Sequence, residues 1–295
     1  MEFSSVTEAK EYVVKATSKA MTEDKIKSSI DFYHDLSTRS VDDNEKKIWL
    51  TEIKKLKEWK NSDEFKNGNY PQGIDELILE VVEWRAAVYS FQNVDTKRDA
   101  FKESGFYAQW LLGAVYGVFT VIGKLISKDN RDNSLRKLWF QLSPVMLQDK
   151  ACTHEEVEYI NQEMDKSKGR FTNSNSKVLL FRNKVIAHNE AIPSVTWDEV
   201  DHEISLLIRM WSLLVAWSSF GLFDPFRTDE QAFMGLESMF QADELSAIKS
   251  KRREYIKKVK EWSRNYAHNG LVDKGRSAFS SISSEVKVTN VETRF

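Results

Sequence analysis

The feature that most constrains the fold is an uninterrupted stretch of 20 uncharged residues, Ser104–Gly123. As an α-helix, a segment of this length reaches about 30 Å, the thickness of the hydrocarbon core of a bilayer. Gly113 and Gly117 also form the GxxxG pattern at which membrane helices pack. The polar residues Gln109 and Thr120 dilute the hydrophobicity of the stretch. The sequence therefore favours a helix buried in a bundle or at a dimer interface, with a membrane-anchored protein as the alternative.

The rest of the chain is also predicted to be helical. All-β proteins need many turn residues, and this chain of 295 residues has only four prolines and 11 glycines. Helix-capping patterns, in which Ser or Thr is followed three residues later by Glu, begin at Ser5, Thr153 and Thr196. Apolar residues follow at helical spacing. We therefore expect an all-α protein.

Three segments are expected along the chain. The first boundary lies in Asn61–Gly73, because Asn, Gly and Pro cluster there. Residues 1–70 are then an N-terminal helical extension, residues 71–227 a helical core, and residues 228–295 a basic C-terminal helix with a tail. Within the core, the uncharged stretch is predicted to belong to a long helix, Lys97–Lys128, and a second helix is predicted over Ser176–His188.

Several classes of site are excluded by composition and spacing. Cys152 is the only cysteine, which excludes an internal disulfide and a cysteine-rich zinc site and suits a reducing compartment. The five histidines show no pairing at helical spacing, and glycine-rich nucleotide-binding motifs are absent from the sequence. The first residues do not form a secretory signal. We therefore predict a cytoplasmic protein that uses no metal ion and no cofactor, and whose formal net charge of −2 does not by itself attract nucleic acid.

The most informative segment is Val178–Glu190, where polar residues interrupt an apolar helix. At helical spacing, Arg182 and His188 each fall in line with apolar residues and so lie near a packed surface. Burying a lone guanidinium is costly, so Arg182 needs an anionic or strongly accepting partner, either a carboxylate of the protein or a phosphate. On a straight helix, Arg182 and His188 point about 120° apart with a rise of about 9 Å. A shared phosphate therefore needs a partner protomer or an irregular helix end.

The sequence RNKVIAH, from Arg182 to His188, resembles the signature of HEPN domains, in which Arg and a polar residue, usually Asn, are followed by His. The extended pattern also looks like the HEPN proteins of phage abortive-infection systems. The layout is similar over roughly residues 74–225, where a long apolar helix, a variable stretch, the motif helix and a long amphipathic helix follow one another. The resemblance implies a HEPN-like helical bundle, flanked here by the N- and C-terminal helical extensions.

This resemblance also implies an activity. HEPN ribonucleases are metal-independent endoribonucleases that act as homodimers, with two motifs facing one cleft. His188 would then be the general acid or base for attack of the RNA 2′-hydroxyl on the adjacent phosphate, Arg182 would neutralise the developing charge, and Asn183 would orient the phosphate or His188. Lys184 and Asn189 are expected to contact RNA, and an antitoxin or other regulatory protein is an expected class of partner. The alternative is a non-catalytic HEPN-like module that binds nucleic acid or protein.

A second region bears on RNA. Between Lys249 and Arg264, eight Lys or Arg residues stand against two Glu, a net charge of +6 in a nearly neutral chain. Tyr255 and Trp262 lie among them and could stack on bases. The competing interpretation is a solvated helix that packs on the core through its aromatic and apolar residues. The residues of this helix predicted to contact RNA are Lys251, Arg252, Arg253, Lys257 and Lys258.

Overall fold

The computed structural model describes residues 3–17, 23–68, 73–94, 102–188, 194–218, 226, 233 and 235–272, except the side chains of residues 15, 25, 45 and 264–272. Every regular element within these ranges is a helix, which confirms the predicted all-α class. The chain divides into two compact units. One is Lys15–Glu76, and the other combines Met1–Val14 with Leu77–Phe295.

The smaller unit is built around a helical hairpin. Helices α2 (Glu23–Arg39) and α3 (Asp43–Asn61) form the hairpin, and the short helix α4 (Asp63–Lys66) follows. Tyr33 of α2 stacks on Trp49 of α3, with ring centroids 5.6 Å apart and planes 14° from parallel. Aromatic stacking between the two helices thus holds the hairpin closed.

The larger unit packs its helices around one central helix. Its helices, two of which extend past the unit boundary, are α1 (Val6–Thr17), α5 (Ile74–Gln92), α6 (Gly105–Leu125), α7 (Leu135–Gln148), α8 (His154–Glu163), α9 (Lys177–Phe181), α10 (Trp197–Ser218) and α11 (Ala242–Val272). Helix α10 is buried on nearly all sides from Val200 to Ser218. Trp139 of α7 and Trp211 of α10 are among the largest fully buried side chains of the core.

Side-chain caps define where several of these helices begin. The Ser104 hydroxyl accepts a hydrogen bond from the Tyr107 backbone N–H at the start of α6. The capping box predicted at Thr153 is complete, because the Thr153 hydroxyl accepts from the Glu156 N–H and the Glu156 carboxylate accepts from the Thr153 N–H. Such caps satisfy backbone donors that have no partner inside the helix.

Helix α6, which contains the uncharged stretch, is buried mainly in its C-terminal half. Residues from Val118 to Leu125 are mostly buried, whereas Phe106, Leu112 and Tyr116 are exposed. In the described part of the chain, α6 is the one helix long and apolar enough to cross a membrane, and 33% of the relevant window is buried. Core helices pass the same test, so this is weak evidence for a membrane span. The helix also starts later than predicted, at Gly105, and residues 95–101 lie outside the described ranges.

A buried polar seam joins α5, α10 and α11. Arg85 donates from Nε and Nη2 to the two carboxylate oxygens of Asp201, at 2.7 and 2.9 Å. The Tyr255 hydroxyl donates to the same carboxylate at 2.8 Å. Arg252 of α11 donates from Nη2 to both carboxylate oxygens of Glu83, at 2.6 and 2.7 Å. These paired charges fix the three helices to one another.

Candidate functional site

The motif helix is shorter than predicted and ends in an irregular turn. Ser176 caps it by accepting a hydrogen bond from the Leu179 N–H at 2.9 Å, but α9 covers only Lys177–Phe181. The next five residues, Arg182–Ile186, form a π-helical turn, in which the Ala187 N–H donates to the Arg182 carbonyl at 3.0 Å. The predicted helix therefore begins at the expected place, but it is α-helical only to Phe181. An irregular helix end is present at the motif instead.

Apolar contacts anchor this turn. Val178 and Leu179 are buried, and Phe181 meets Phe119 of α6 edge to face, with ring centroids 5.1 Å apart. Because Phe181 directly precedes Arg182, this contact fixes where the π-helical turn begins against α6. Turns of this kind are frequent at functional sites, and this one carries the Arg and Asn of the motif at its first two positions.

The Arg182 side chain is half-buried against the backbone of α6 at Gly123. A β-carbon placed on Gly123 would lie 2.5 Å from Nε, 2.8 Å from Cδ and 2.9 Å from Cζ of Arg182. Real β-carbons do not approach other atoms this closely, so the guanidinium occupies the space that any other residue at position 123 would fill.

The guanidinium of Arg182 is held by amides instead of a carboxylate. Nη1 donates to Oδ1 of Asn183 at 3.3 Å, and Nδ2 of Asn183 donates to Oδ1 of Asn173 at 2.8 Å. Among the residues that the structure describes, no carboxylate lies within 4.0 Å of the Arg182 nitrogens. A neutral amide orients a guanidinium but leaves its positive charge uncompensated. The site is therefore suited to receive an anion.

The remaining predicted site residues that the structure describes differ in exposure. His188 is exposed, and its imidazole forms no hydrogen bond with any part of the chain that the structure describes. Lys184 is half-buried within the π-helical turn. Asn189 lies outside the described residues. The structure thus places Arg182, Asn183, Lys184 and His188 on one short turn with its last residue open to ligands.

A buried acid lies under the start of the motif helix. The Ser176 hydroxyl donates to Oε1 of Glu203 in α10 at 2.6 Å, while Oε2 of Glu203 is buried without a hydrogen-bond partner. Glu203 is 4% exposed, and burial raises the pKa of its carboxyl to about 7. The carboxyl therefore changes its charge near neutral pH, next to the residue that caps α9.

The basic helix α11 uses part of its charge for internal pairs. Arg252 is 4% exposed and is bonded to the exposed carboxylate of Glu83, so its guanidinium is withdrawn from solvent. Lys251 pairs with Glu254 at 3.0 Å. The ammonium of Lys258 lies 4.9 Å from the centroid of the Tyr89 ring. Tyr255 is fully buried in the polar seam.

The exposed cations of α11 are fewer than the sequence indicated. Arg253, Lys257 and Lys258 are exposed, and Lys251 is half-buried. Trp262 is half-buried and meets Tyr255 edge to face, with ring centroids 6.0 Å apart. The helix thus packs on the core through one face and presents a reduced set of cations on the other.

A separate cavity of about 960 Å³ lies beside α8. Its lining includes His154, Arg170 and His202. Arg170 is already bonded to the Glu163 carboxylate, to the His202 carbonyl and to the Tyr159 hydroxyl. Over the described residues, no group of three or more His, Cys, Asp and Glu side chains is placed to hold a metal ion.

Two residues of the candidate site were not predicted from the sequence. Gly123 is the last residue of the uncharged stretch, and Asn173 lies in the polar segment before the motif helix. A glycine within a helix that is otherwise apolar was the available signal for a close approach, but it did not indicate which side chain approaches. Asn173 carried no signal, because the segment around it is rich in polar residues throughout.

Comparisons with protein-family models, with curated proteins and with solved structures found no match for this chain.

Proposed function

We propose that the chain is a metal-independent endoribonuclease whose active site is built around Arg182 and His188. The observation that supports this most is the half-buried guanidinium of Arg182, which no carboxylate in the described part of the chain neutralises. A cation in this position is more stable when an anion binds it. An RNA phosphate supplies such an anion, and its oxygens match the forked donors of a guanidinium.

The proposed reaction is transfer of the phosphate to the neighbouring ribose hydroxyl. The 2′-oxygen attacks the phosphorus while a histidine accepts its proton, the bond to the 5′-oxygen breaks, and that oxygen takes up a proton. The products are a 2′,3′-cyclic phosphate and a 5′-hydroxyl. Histidine suits both proton transfers because it exchanges protons near neutral pH. Arg182 stabilises the charge that builds up on the phosphorane oxygens, and Asn183 holds Arg182 in place.

We further propose that the active form is a homodimer. The N-terminal half of α6 presents the exposed side chains of Phe106, Leu112 and Tyr116 together with Gly113, at which an added β-carbon would meet nothing within 4 Å. This surface lies in Ala108–Phe119 and its flank, where small residues allow a close approach of a second helix. A second protomer would contribute a second His188, so that one imidazole accepts a proton while the other donates one.

RNA binding would extend from the motif to the exposed cations of α11. Arg253, Lys257 and Lys258 are exposed on α11, whereas Arg252 is buried and bonded to Glu83 and is left out of this surface. The resemblance to abortive-infection and toxin HEPN proteins suggests a role in prokaryotic defence, in the cytoplasm and under the control of an antitoxin or another regulatory protein.

The test is cleavage of mixed-sequence RNA in EDTA by the wild type, Arg182→Ala and His188→Ala. We expect the wild type to cut and each variant to lose about 100-fold or more in rate. Arg131→Ala is the matched control, because the Arg131 side chain is 89% exposed and pairs with nearby Asp129. Its rate should equal that of the wild type.

Two outcomes would contradict the proposal. One is equal cleavage by all four proteins, which would identify a contaminating nuclease. The other is no cleavage by a folded, dimeric wild type. If that protein still bound RNA and Arg182→Ala weakened the binding, a non-catalytic HEPN-like binding module would replace the ribonuclease.

A further inference from the structure

We infer that Gly123 is a positioning residue for Arg182, because the missing side chain at position 123 is what allows the guanidinium to lie at the motif turn. The inference rests on the proposed function only for its catalytic consequence. The contact between the two residues is a property of the fold.

The glycines of the larger unit differ in what a side chain would meet. In α6, a β-carbon on Gly105 would meet nothing within 4 Å, and one on Gly117 would lie 3.4 Å from Nε1 of Trp84, close to an ordinary contact. A β-carbon on Gly123 would overlap three atoms of the Arg182 side chain. Gly169 is a different case, because its neighbours at 2.5 and 2.6 Å are backbone atoms of Glu163 and Asp165.

At Gly169 a side chain would overlap the backbone, whereas at Gly123 it would overlap another side chain. Gly169 cannot be replaced without moving the backbone of the loop after α8. Gly123 has an ordinary helical backbone, since its φ is not in the left-handed region. Glycine inside a helix is less stable than alanine by about 1 kcal/mol. The close approach of Arg182 is the feature of the structure that accounts for glycine at this buried position.

The guanidinium is held from two sides. Gly123 bounds it on the α6 side, and the amide chain from Asn173 through Asn183 reaches it through Nη1. A methyl group on position 123 would displace Nε by about 1 Å to reach normal contact distance. A displacement of this size at a catalytic group lowers rates by about 100-fold. The fold should survive, because the displaced atoms belong to a flexible side chain.

The first test measures thermal stability and does not depend on activity. We expect Gly123→Ala to lower the melting temperature in the wild-type background and to raise it in the Arg182→Ala background, where only the gain in helix propensity remains. Gly105→Ala should change the melting temperature by the same amount in both backgrounds. Equal effects of Gly123→Ala in the two backgrounds would overturn the inference.

The second test separates positioning from a merely structural contact. For RNA cleavage, we expect Gly123→Ala to lower kcat about 100-fold with KM within about threefold of wild type, while Gly105→Ala leaves both unchanged. An unchanged kcat in folded Gly123→Ala would overturn the positioning role. If the wild type does not cleave RNA, the proposed function fails, and the stability test still decides whether Gly123 and Arg182 are coupled.

Discussion

Arg85 and Arg182 show two ways in which this chain removes a guanidinium from water. Arg85, in the polar seam, is 3% exposed and forms a bidentate pair with Asp201, beneath the rings of Trp197 and Tyr255 at 4.7 and 5.0 Å. Arg182, at the motif turn, is half-buried and has an amide oxygen as its hydrogen-bond acceptor. The first arrangement satisfies a charge within the protein, and the second leaves one for a ligand.

Two acids of α10, Asp201 and Glu203, also differ in whether a cation is their hydrogen-bond donor. Asp201 receives hydrogen bonds from Arg85 and Tyr255, whereas Glu203, two residues later, receives one from Ser176 and keeps one oxygen without a partner. Burial raises the pKa of both carboxyls, and at Asp201 the Arg85 charge opposes that effect. The buried carboxylate near the motif thus has a hydroxyl as its donor, whereas the one in the polar seam has a cation, although Nη1 of Arg85 is buried there without a hydrogen-bond partner. Buried carboxyls with a raised pKa are common at functional sites.

The largest effect on stability is predicted for a variant that breaks the polar seam. Arg85→Ala leaves the buried Asp201 carboxylate without its cation and should lower the free energy of unfolding by about 3–5 kcal/mol. Arg182→Ala breaks no ion pair and should change it by less than about 1 kcal/mol. Urea denaturation of both variants measures the contrast. Similar losses in the two would show that Arg182 is a structural residue and would remove the distinction between the two sites.

A pH series distinguishes the two buried acids. The pKa of Glu203 is raised to about 7 in the folded protein, above its ordinary value, so folding favours the protonated form. Stability from this group is therefore complete below about pH 4.5 and is lost as the pH rises through about 7. This loss of stability is on the order of 3 kcal/mol. The Glu203→Gln variant should not show it, and should therefore be more stable than the wild type at pH 8. A stability difference between the two proteins that stays constant from pH 5 to 8 would contradict this account.

Smaller effects on stability are expected when two cations of α11 are replaced and compared. Arg252→Ala should destabilise the fold by about 2 kcal/mol, because it removes the paired bonds to Glu83. Lys257→Ala, at an exposed position, should change stability by less than about 0.5 kcal/mol and reduce the salt dependence of RNA binding by about one ion. Denaturation and salt titrations of both variants check this. The reverse pattern would mean that the RNA surface lies on the other face of α11.

The sequence predicted the regular helices better than the site. The capping box predicted at Thr153 forms at the start of α8, because a cap is a local signal. The burial of Arg252 could have been predicted from the sequence, since Arg252 lies three and four residues from Tyr255 and Ile256 on the apolar face of α11. Charge counting alone placed it at the surface.

The geometry of the motif turn was not available from the sequence. The residues of Arg182–Ile186 fit an α-helix as well as a π-helical turn, and the choice depends on how α9 packs on α6. Likewise, Gly123 and Arg182 are far apart in the chain, and only the tertiary fold brings them into contact. Local propensity identified the motif, and long-range packing determined what its side chains do.

The most direct test of the central claim is the chemical identity of the RNA ends that the wild-type protein produces in EDTA, measured by mass spectrometry. We predict fragments with a 2′,3′-cyclic phosphate and a 5′-hydroxyl, and no cut at a position where the 2′-hydroxyl has been replaced by hydrogen. Fragments with 5′-phosphate ends, or cutting beside a 2′-deoxyribose, would contradict an active site in which Arg182 and His188 direct attack by the ribose hydroxyl.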